Sequence, residues 1–162
     1  MAEVIIMTNA VAIVRLRGKV NRNYDVEHTM KLLRLHKPNH AVIFPNNEAI
    51  QGMLQKIKDA VTWGEIDQNT VEILLKKRGE LKGKDKVTDK HIKTNTSFST
   101  IKQFAKAVAS GEAKITDIPD IQPVFRLTPP RKGFTSLKNP YNRRGDLGYR
   151  GSDIITLIDR MT

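Results

Sequence analysis

Residues 10–16 read Ala-Val-Ala-Ile-Val-Arg-Leu. The run is short, nearly all apolar and rich in β-branched residues, which predicts a central strand. Its end and the residues beyond it are basic: Arg15, Arg17, Lys19 and Arg22, with Gly18 and Asn21 among them and no acid before Asp25. A strand that empties into such a loop is a candidate nucleic-acid contact. From Tyr24 to Leu35, the residues Val26, Met30 and Leu33 fall at i, i+4 and i+7, and Leu32 and Leu35 widen the stripe into an amphipathic helix. Asn23 is its expected N-cap, Asp25 and Glu27 lie where the helix dipole favours anions, and Pro38 ends it. Ala41 to Phe44 predicts a second strand, and Pro45-Asn46-Asn47 leads into a helix over Glu48 to Lys58 with Ile50, Met53, Leu54 and Ile57 on one face. Ala60 to Ile66 predicts a third strand, after which Asp67 caps a helix that Gly79 stops. The first half thus alternates strand and helix three times. Gly52, inside the second helix, costs about 1 kcal/mol relative to Ala and needs a reason. Close approach of an RNA backbone would supply one; so would tight packing of the helix on the sheet.

At Gly79 the composition shifts. Glu80 to Lys86 is a charged loop, and Thr88 opens a short helical turn. Thr100 to Ser110 is amphipathic through Ile101, Phe104, Ala105 and Val108; Thr100 with Gln103 resembles a capping box, and Gly111 is the stop. Val124 to Leu127 predicts a last short strand. It feeds residues 128–151, which hold six Lys or Arg against one Asp, with three Pro, four Gly and three aromatic rings. No apolar period runs through this stretch, so it reads as a long basic loop. Loops of this length are either functional or disordered. A solvated linker is the competing reading, but linkers seldom interleave rings with Arg in this way. Arg and Lys supply phosphate contacts, Tyr and Phe supply faces for unstacked bases, and Gly lets a backbone approach. The chain closes with a short apolar helix over Ile154 to Met161.

The formal net charge of +11 points to a polyanionic partner, nucleic acid before an anionic membrane surface. The membrane reading lacks a basic amphipathic helix, and no apolar run approaches the roughly 18 residues of a span. Residues 1–9 do not read as a signal peptide, so a cytoplasmic location is expected. With no Cys, disulfides, thiolate metal sites and cysteine nucleophiles are excluded. His36 and His40 have helical spacing, but Pro38 lies between them and no acidic cluster accompanies them. Gly145, Gly148 and Gly151 have the wrong spacing for a dinucleotide loop, and no Walker-type loop or nucleophile triad is present. No metal, cofactor, small-molecule substrate or catalytic residue is expected.

Three stretches carry a resemblance. They are Val14-Arg15-Leu16-Arg17-Gly18 with Val20-Asn21; Ala49-Ile50-Gln51-Gly52-Met53-Leu54; and Leu127-Thr128-Pro129-Pro130-Arg131-Lys132-Gly133 with Leu147-Gly148 downstream. In their order and spacing the chain resembles the archaeal form of the large-subunit ribosomal protein thirty family, whose eukaryotic counterpart is large-subunit protein seven. The resemblance implies an α+β fold: a small β-α-β-α-β core sheet related to ferredoxin-like folds, with two helices on one face. The implied organisation is a core over residues 9–66, a helical extension with a closing strand over 67–127, a basic RNA-binding loop over 128–151 and a C-terminal helix over 152–162. It also implies no catalysis, binding to large-subunit rRNA near 5S rRNA, and neighbouring ribosomal proteins as partners. Only a short apolar start precedes the first strand, in place of the long basic arm of eukaryotic members.

Residue by residue, Arg17, Lys19, Asn21 and Arg22 match the loop after the first strand. Gln51, Gly52 and Met53 match the helical motif, although members often have Arg where this chain has Gln51, which removes a phosphate fork. Arg131, Lys132 and Gly133 match the Pro-Pro loop. The other expected RNA contacts rest on the composition of the loop itself: Phe134, Lys138, Asn139, Tyr141, Asn142, Arg143, Arg144, Tyr149 and Arg150. The expected function is a structural constituent of the large ribosomal subunit that bridges rRNA through basic loops. The alternative is a free-standing RNA-binding or RNA-annealing module on a ferredoxin-like scaffold, which calls for exposed aromatics on central strands. Only Phe44, Trp63 and Phe125 stand on strands, at positions that read as core or edge.

Overall fold

The computed structural model describes residues 10–18 and 23–162. The strand over the opening run, β1 (Ala10–Arg15), lies at the centre of a five-stranded sheet. It is antiparallel to β2 (His40–Pro45) on one side and to β3 (Val61–Glu65) on the other. Between β1 and β2 runs α1 (Tyr24–Leu32), and between β2 and β3 runs α2 (Glu48–Ile57). Two strands that flank a third and are joined by a helical crossover form a split β-α-β unit, as in ferredoxin-like folds. Every residue of β1 is buried, because both faces of the sheet are covered.

The alternation along β1 sorts its side chains between two cores. Val11 and Ile13 join Val42, Val61 and Trp63 beneath α1 and α2, where Met30, Leu33, Leu54 and Ile57 close the layer. Ala10, Ala12 and Val14 face the other way, toward α3 (Gln68–Arg78), α5 (Ile101–Ala109) and α6 (Ile154–Met161). The first core holds the two helices expected on one face. The extension supplies the second face, together with the short α4 (Asp89–Asn95). Close packing on that side needs small residues. A Cβ on Gly64 would lie 1.9 Å from the Gly151 carbonyl oxygen and 2.9 Å from Ile154 Cγ2, so β3 touches the start of α6 at that point.

The helix starts agree with the expected caps. Asn23 accepts from the Asp25 amide, Asn47 from Ile50 and Asp67 from Thr70. Thr100 accepts from the Gln103 amide, but Gln103 reaches back to the Ser99 amide and not to Thr100. The first helix stops at Leu32, three residues short of the apolar stripe; Arg34 turns left-handed, with φ 64°, and Leu35 packs from the turn.

The sheet also draws on the second half of the chain. β4 (Phe125–Arg126) pairs antiparallel with β2 at one edge, and β5 (Gly148–Tyr149) pairs parallel with β3 at the other. The reading of residues 128–151 as a stretch without secondary structure therefore needs correcting at its end. A strand of two residues leaves no period in sequence, and its place is decided by backbone pairing with β3. The extension and the loop are built onto the same sheet as the core.

Arg15, the first of the basic residues at the end of β1, is not free for a nucleic acid. Its side chain is buried in the centre. Three bonds of 2.7 Å satisfy it: Nη2 donates to Glu27 Oε1, Nη1 to the Leu35 carbonyl and Nε to the Arg17 carbonyl. A buried guanidinium is tolerated only with this degree of pairing. The arrangement ties β1 to both ends of α1 and sets the direction of the chain as it leaves the strand.

Candidate nucleic-acid interface

Three basic or polar segments carry the expected contacts, and the C-terminal end of α2 meets the basic loop where β3 and β5 form the edge of the sheet. The first leaves β1. Arg17, its carbonyl held by Arg15, extends its guanidinium to the Asp59 carbonyl at 3.1 Å, at the C-terminal end of α2. Lys19, Asn21 and Arg22 lie outside the described residues.

The second segment is the outer side of α2. Gln51 is half-buried and bonds Asn46, while Met53 packs against the first core. Gly52 is exposed, and a Cβ there would meet no atom within 4 Å. Packing inside the protein therefore does not explain this glycine. Gln55 and Lys58, also exposed, lie at i+4 and i+7 from Gln51 and so share its stripe. Sequence reasoning passed over both, although that spacing marks them.

The third segment is the basic loop, which is closed on itself. The Asp146 amide donates to the Ser136 carbonyl, and the Ser136 amide donates back to Asp146 Oδ2, both at 2.9 Å. Gly145 N–H reaches the Pro140 carbonyl, Leu147 N–H the Asn139 carbonyl and Tyr141 N–H the Leu147 carbonyl. Residues 136–147 thus form a compact Ω-type loop whose ends meet. A Cβ on Gly145 would sit 1.8 Å from the Asn139 carbonyl oxygen, so glycine is needed for the closure. Lys138, Asn139, Tyr141, Asn142, Arg143 and Arg144 form the exposed crest.

Arg150 is not on that crest. It is buried, with Nε donating to Thr62 Oγ1 at 2.8 Å and Nη2 to the Asp146 carbonyl at 2.7 Å and to Asp146 Oδ1 at 3.2 Å. Its guanidinium also lies 4.8 Å from the centre of the Tyr141 ring. The sequence places Arg150 among the RNA contacts; in the structure its charge is paired inside the protein, anchoring the loop to β3. Phe134 is half-buried against the second core. Arg131, Lys132 and Gly133 form a separate exposed patch against the end of α6. There the Arg131 amide donates to the Arg160 carbonyl, and Arg160 Nε donates to the Arg131 carbonyl. Lys132 and Gly133 are both left-handed, which turns the chain sharply.

Between α2 and the crest lies an open cleft of about 550 Å³. It is lined by Trp63, Leu147, Gly148 and Tyr149 at the sheet edge, by Gln55, Lys58 and Asp59 at the end of α2, and by Lys138, Pro140, Tyr141, Asn142 and Arg143 of the loop. Trp63 and Tyr149 are paired across β3 and β5, with ring centres 6.2 Å apart. The Tyr149 hydroxyl donates to both Glu65 carboxylate oxygens, at 2.6 and 2.7 Å. Burial, then Glu65, pushes its pKa up to about 12, so the hydroxyl keeps its proton. Among the described residues no group of three or more His, Cys, Asp or Glu could hold a metal, and no helix is long and apolar enough to cross a membrane.

Residues 11–61 match the family described as ribosomal protein L30p/L7e. The chain is similar to the large ribosomal subunit protein uL30 of Archaeoglobus fulgidus, with 47% identity over 150 residues that cover 93% of this chain and 98% of the relative. Its similarity to the Thermoplasma volcanium protein of the same name is 46% over 150 residues, covering 93% and 91%. The Methanopyrus kandleri protein, also of that name, is 46% identical over 148 residues, covering 90% of this chain and 99% of its own length.

Proposed function

The chain belongs to the ribosomal protein L30p/L7e family in its archaeal form, and from that membership we propose that it is a structural constituent of the large ribosomal subunit that binds and bridges rRNA without catalysis. The observation that carries the reading is an identity of 47% over 150 residues, which span 93% of the chain. The net charge of +11 and the cationic crest at the sheet edge support RNA as the polyanion. Arg17, Gln51, Gly52, Lys138, Asn139, Asn142, Arg143 and Arg144 are the proposed contacts on that side, with Arg131 and Lys132 as a second patch. 5S rRNA is included among the partners on the family resemblance alone. The mechanism is electrostatic and steric: a rigid sheet sets the spacing, and Lys and Arg displace counterions from phosphates.

Sedimentation of a lysate through sucrose tests this reading. Co-migration with the large subunit at one copy per particle, surviving high salt, is expected. A free pool at the top of the gradient, or release at modest salt, would overturn it and favour the free-standing RNA-binding module. On purified rRNA, Lys138→Ala and Arg143→Ala are each expected to lower the slope of log affinity against log salt by about 1. An unchanged slope would remove that residue from the contact.

Gly52→Ala separates folding from binding. With free space at the Cβ position, the substitution is expected to stabilise the isolated protein by about 1 kcal/mol in urea denaturation. It is also expected to weaken rRNA binding, because the added methyl group holds the RNA backbone away from α2. A gain in stability with unchanged affinity would show that no backbone approaches there.

A further inference from the structure

We infer that the cleft between α2 and the basic crest is a pocket for one unstacked nucleotide of the bound RNA. This rests on the RNA-binding reading above and adds a base-recognition site to it, with Gln55 and Lys58 as new contacts. At about 550 Å³ the cleft falls within the roughly 300–1,000 Å³ of pockets that bury a small organic group. Its lining divides by burial: Trp63 and Leu147 are buried, while Gln55, Lys58, Lys138 and Arg143 are exposed. Tyr149, 53% exposed beside Trp63, offers an aromatic face. The lining carries Lys58, Lys138 and Arg143 against one acid, Asp59, whose carbonyl already holds Arg17.

That division fits a nucleotide better than a phosphate alone. A phosphate site needs N–H donors or an arginine fork at its floor. Here Tyr149 offers a π face, and cations border the cleft, which suits the phosphates that flank an inserted base. Gln55 of α2 and Asn142 of the loop each carry an amide that donates and accepts, which suits the edge of a base. Tyr149 is pre-set for stacking: Glu65 fixes its hydroxyl, the backbone of β5 is paired to β3, and little order remains to be gained on binding. Double-stranded RNA would not enter, so the pocket selects a bulged or looped-out nucleotide.

Trp63 is the sole tryptophan and lines the cleft, so the full chain reports its own occupancy. The probe is archaeal large-subunit rRNA transcribed with 4-thiouridine. Quenching of Trp63 emission on binding is expected, with crosslinks to the segments Gln55–Asp59 and Tyr141–Tyr149. Tyr149→Leu should bind about tenfold more weakly at an unchanged salt slope, while Tyr149→Phe, which keeps the ring but not its bond to Glu65, should lose much less. Far-ultraviolet circular dichroism checks that both variants fold; the native emission and crosslinks decide the question without them. Binding with a normal salt slope, unchanged emission and crosslinks elsewhere would overturn the pocket and leave the RNA reading standing. Absence of any rRNA binding would overturn both.

Discussion

Asp146→Ala is expected to cost about 3–5 kcal/mol of stability and to release the basic loop from the sheet. Asp146 and Arg150 are both buried, at 5% and 8% exposure, and form the only fully internal ion pair among the described residues. Removing the carboxylate leaves the guanidinium charge with neutral partners alone, Thr62 Oγ1 and a carbonyl. It also takes from the Ser136 amide the acceptor that closes the loop. The loss of an unpaired buried charge exceeds what the intact pair contributes, because the desolvation of Arg150 is no longer offset. Urea denaturation measures the effect as a lower midpoint at similar slope. Trypsin supplies the local readout: cleavage after Lys138, Arg143 and Arg144 should be slow in the free native protein and fast in the variant. Asp146→Asn keeps an acceptor and should lose less. A loss below about 1 kcal/mol with unaltered cleavage would show that the pair does not hold the loop.

Glu27→Gln is the second large expected effect, a loss of about 3 kcal/mol. Arg15 is only 1% exposed, and Glu27 is its one anionic partner among the described residues. The remaining two donors still reach the Leu35 and Arg17 carbonyls, which keeps the geometry but not the charge balance. Arg15→Lys should also be costly, since one ammonium on a flexible stem cannot meet three acceptors set around a planar fork. Both variants loosen the exit from β1, so rRNA affinity through Arg17 should fall along with stability. Equilibrium unfolding and rRNA binding at fixed salt measure the two effects. A stability within about 1 kcal/mol of the native chain for Glu27→Gln would mean that Arg15 draws its stabilisation from the carbonyls.

The core elements were legible because their signals are local and repeated. The strand pattern of Ala10 to Leu16 needs only the two-residue period of a pleated chain, and the α2 stripe of Ile50, Leu54 and Ile57 needs only the helical turn. The Asn47 and Asp67 caps are set by groups three residues apart. The candidate interface was legible in part. The charge of the 138–144 crest is a property of composition, and its exposure comes from the unfavourable free energy of burying unpaired charge. Arg150 and Phe134 belong to the same stretch by composition, yet Arg150 is buried and Phe134 packs half-buried against the second core. No local rule separates them from Arg143 or Tyr141, because the partners that draw them inward, Thr62 for Arg150 and the second core for Phe134, stand far off in the chain.

By itself, the sequence determined the alternating strands and helices of the first half, the amphipathic faces that make them pack, the helix caps, and a positive charge that calls for a polyanion. All of these depend on residues within a few positions of one another. The tertiary structure alone decided that β4 and β5 complete the sheet, that the basic loop is anchored through Arg150 and Asp146, and that Gln55 and Lys58 line one cleft with Lys138, Arg143 and Tyr149. These depend on pairs more than eighty residues apart, such as Thr62 with Gly148 and Glu65 with Tyr149. A contact of that range leaves no period in the chain, since its free energy is set by what the completed sheet brings within hydrogen-bonding distance.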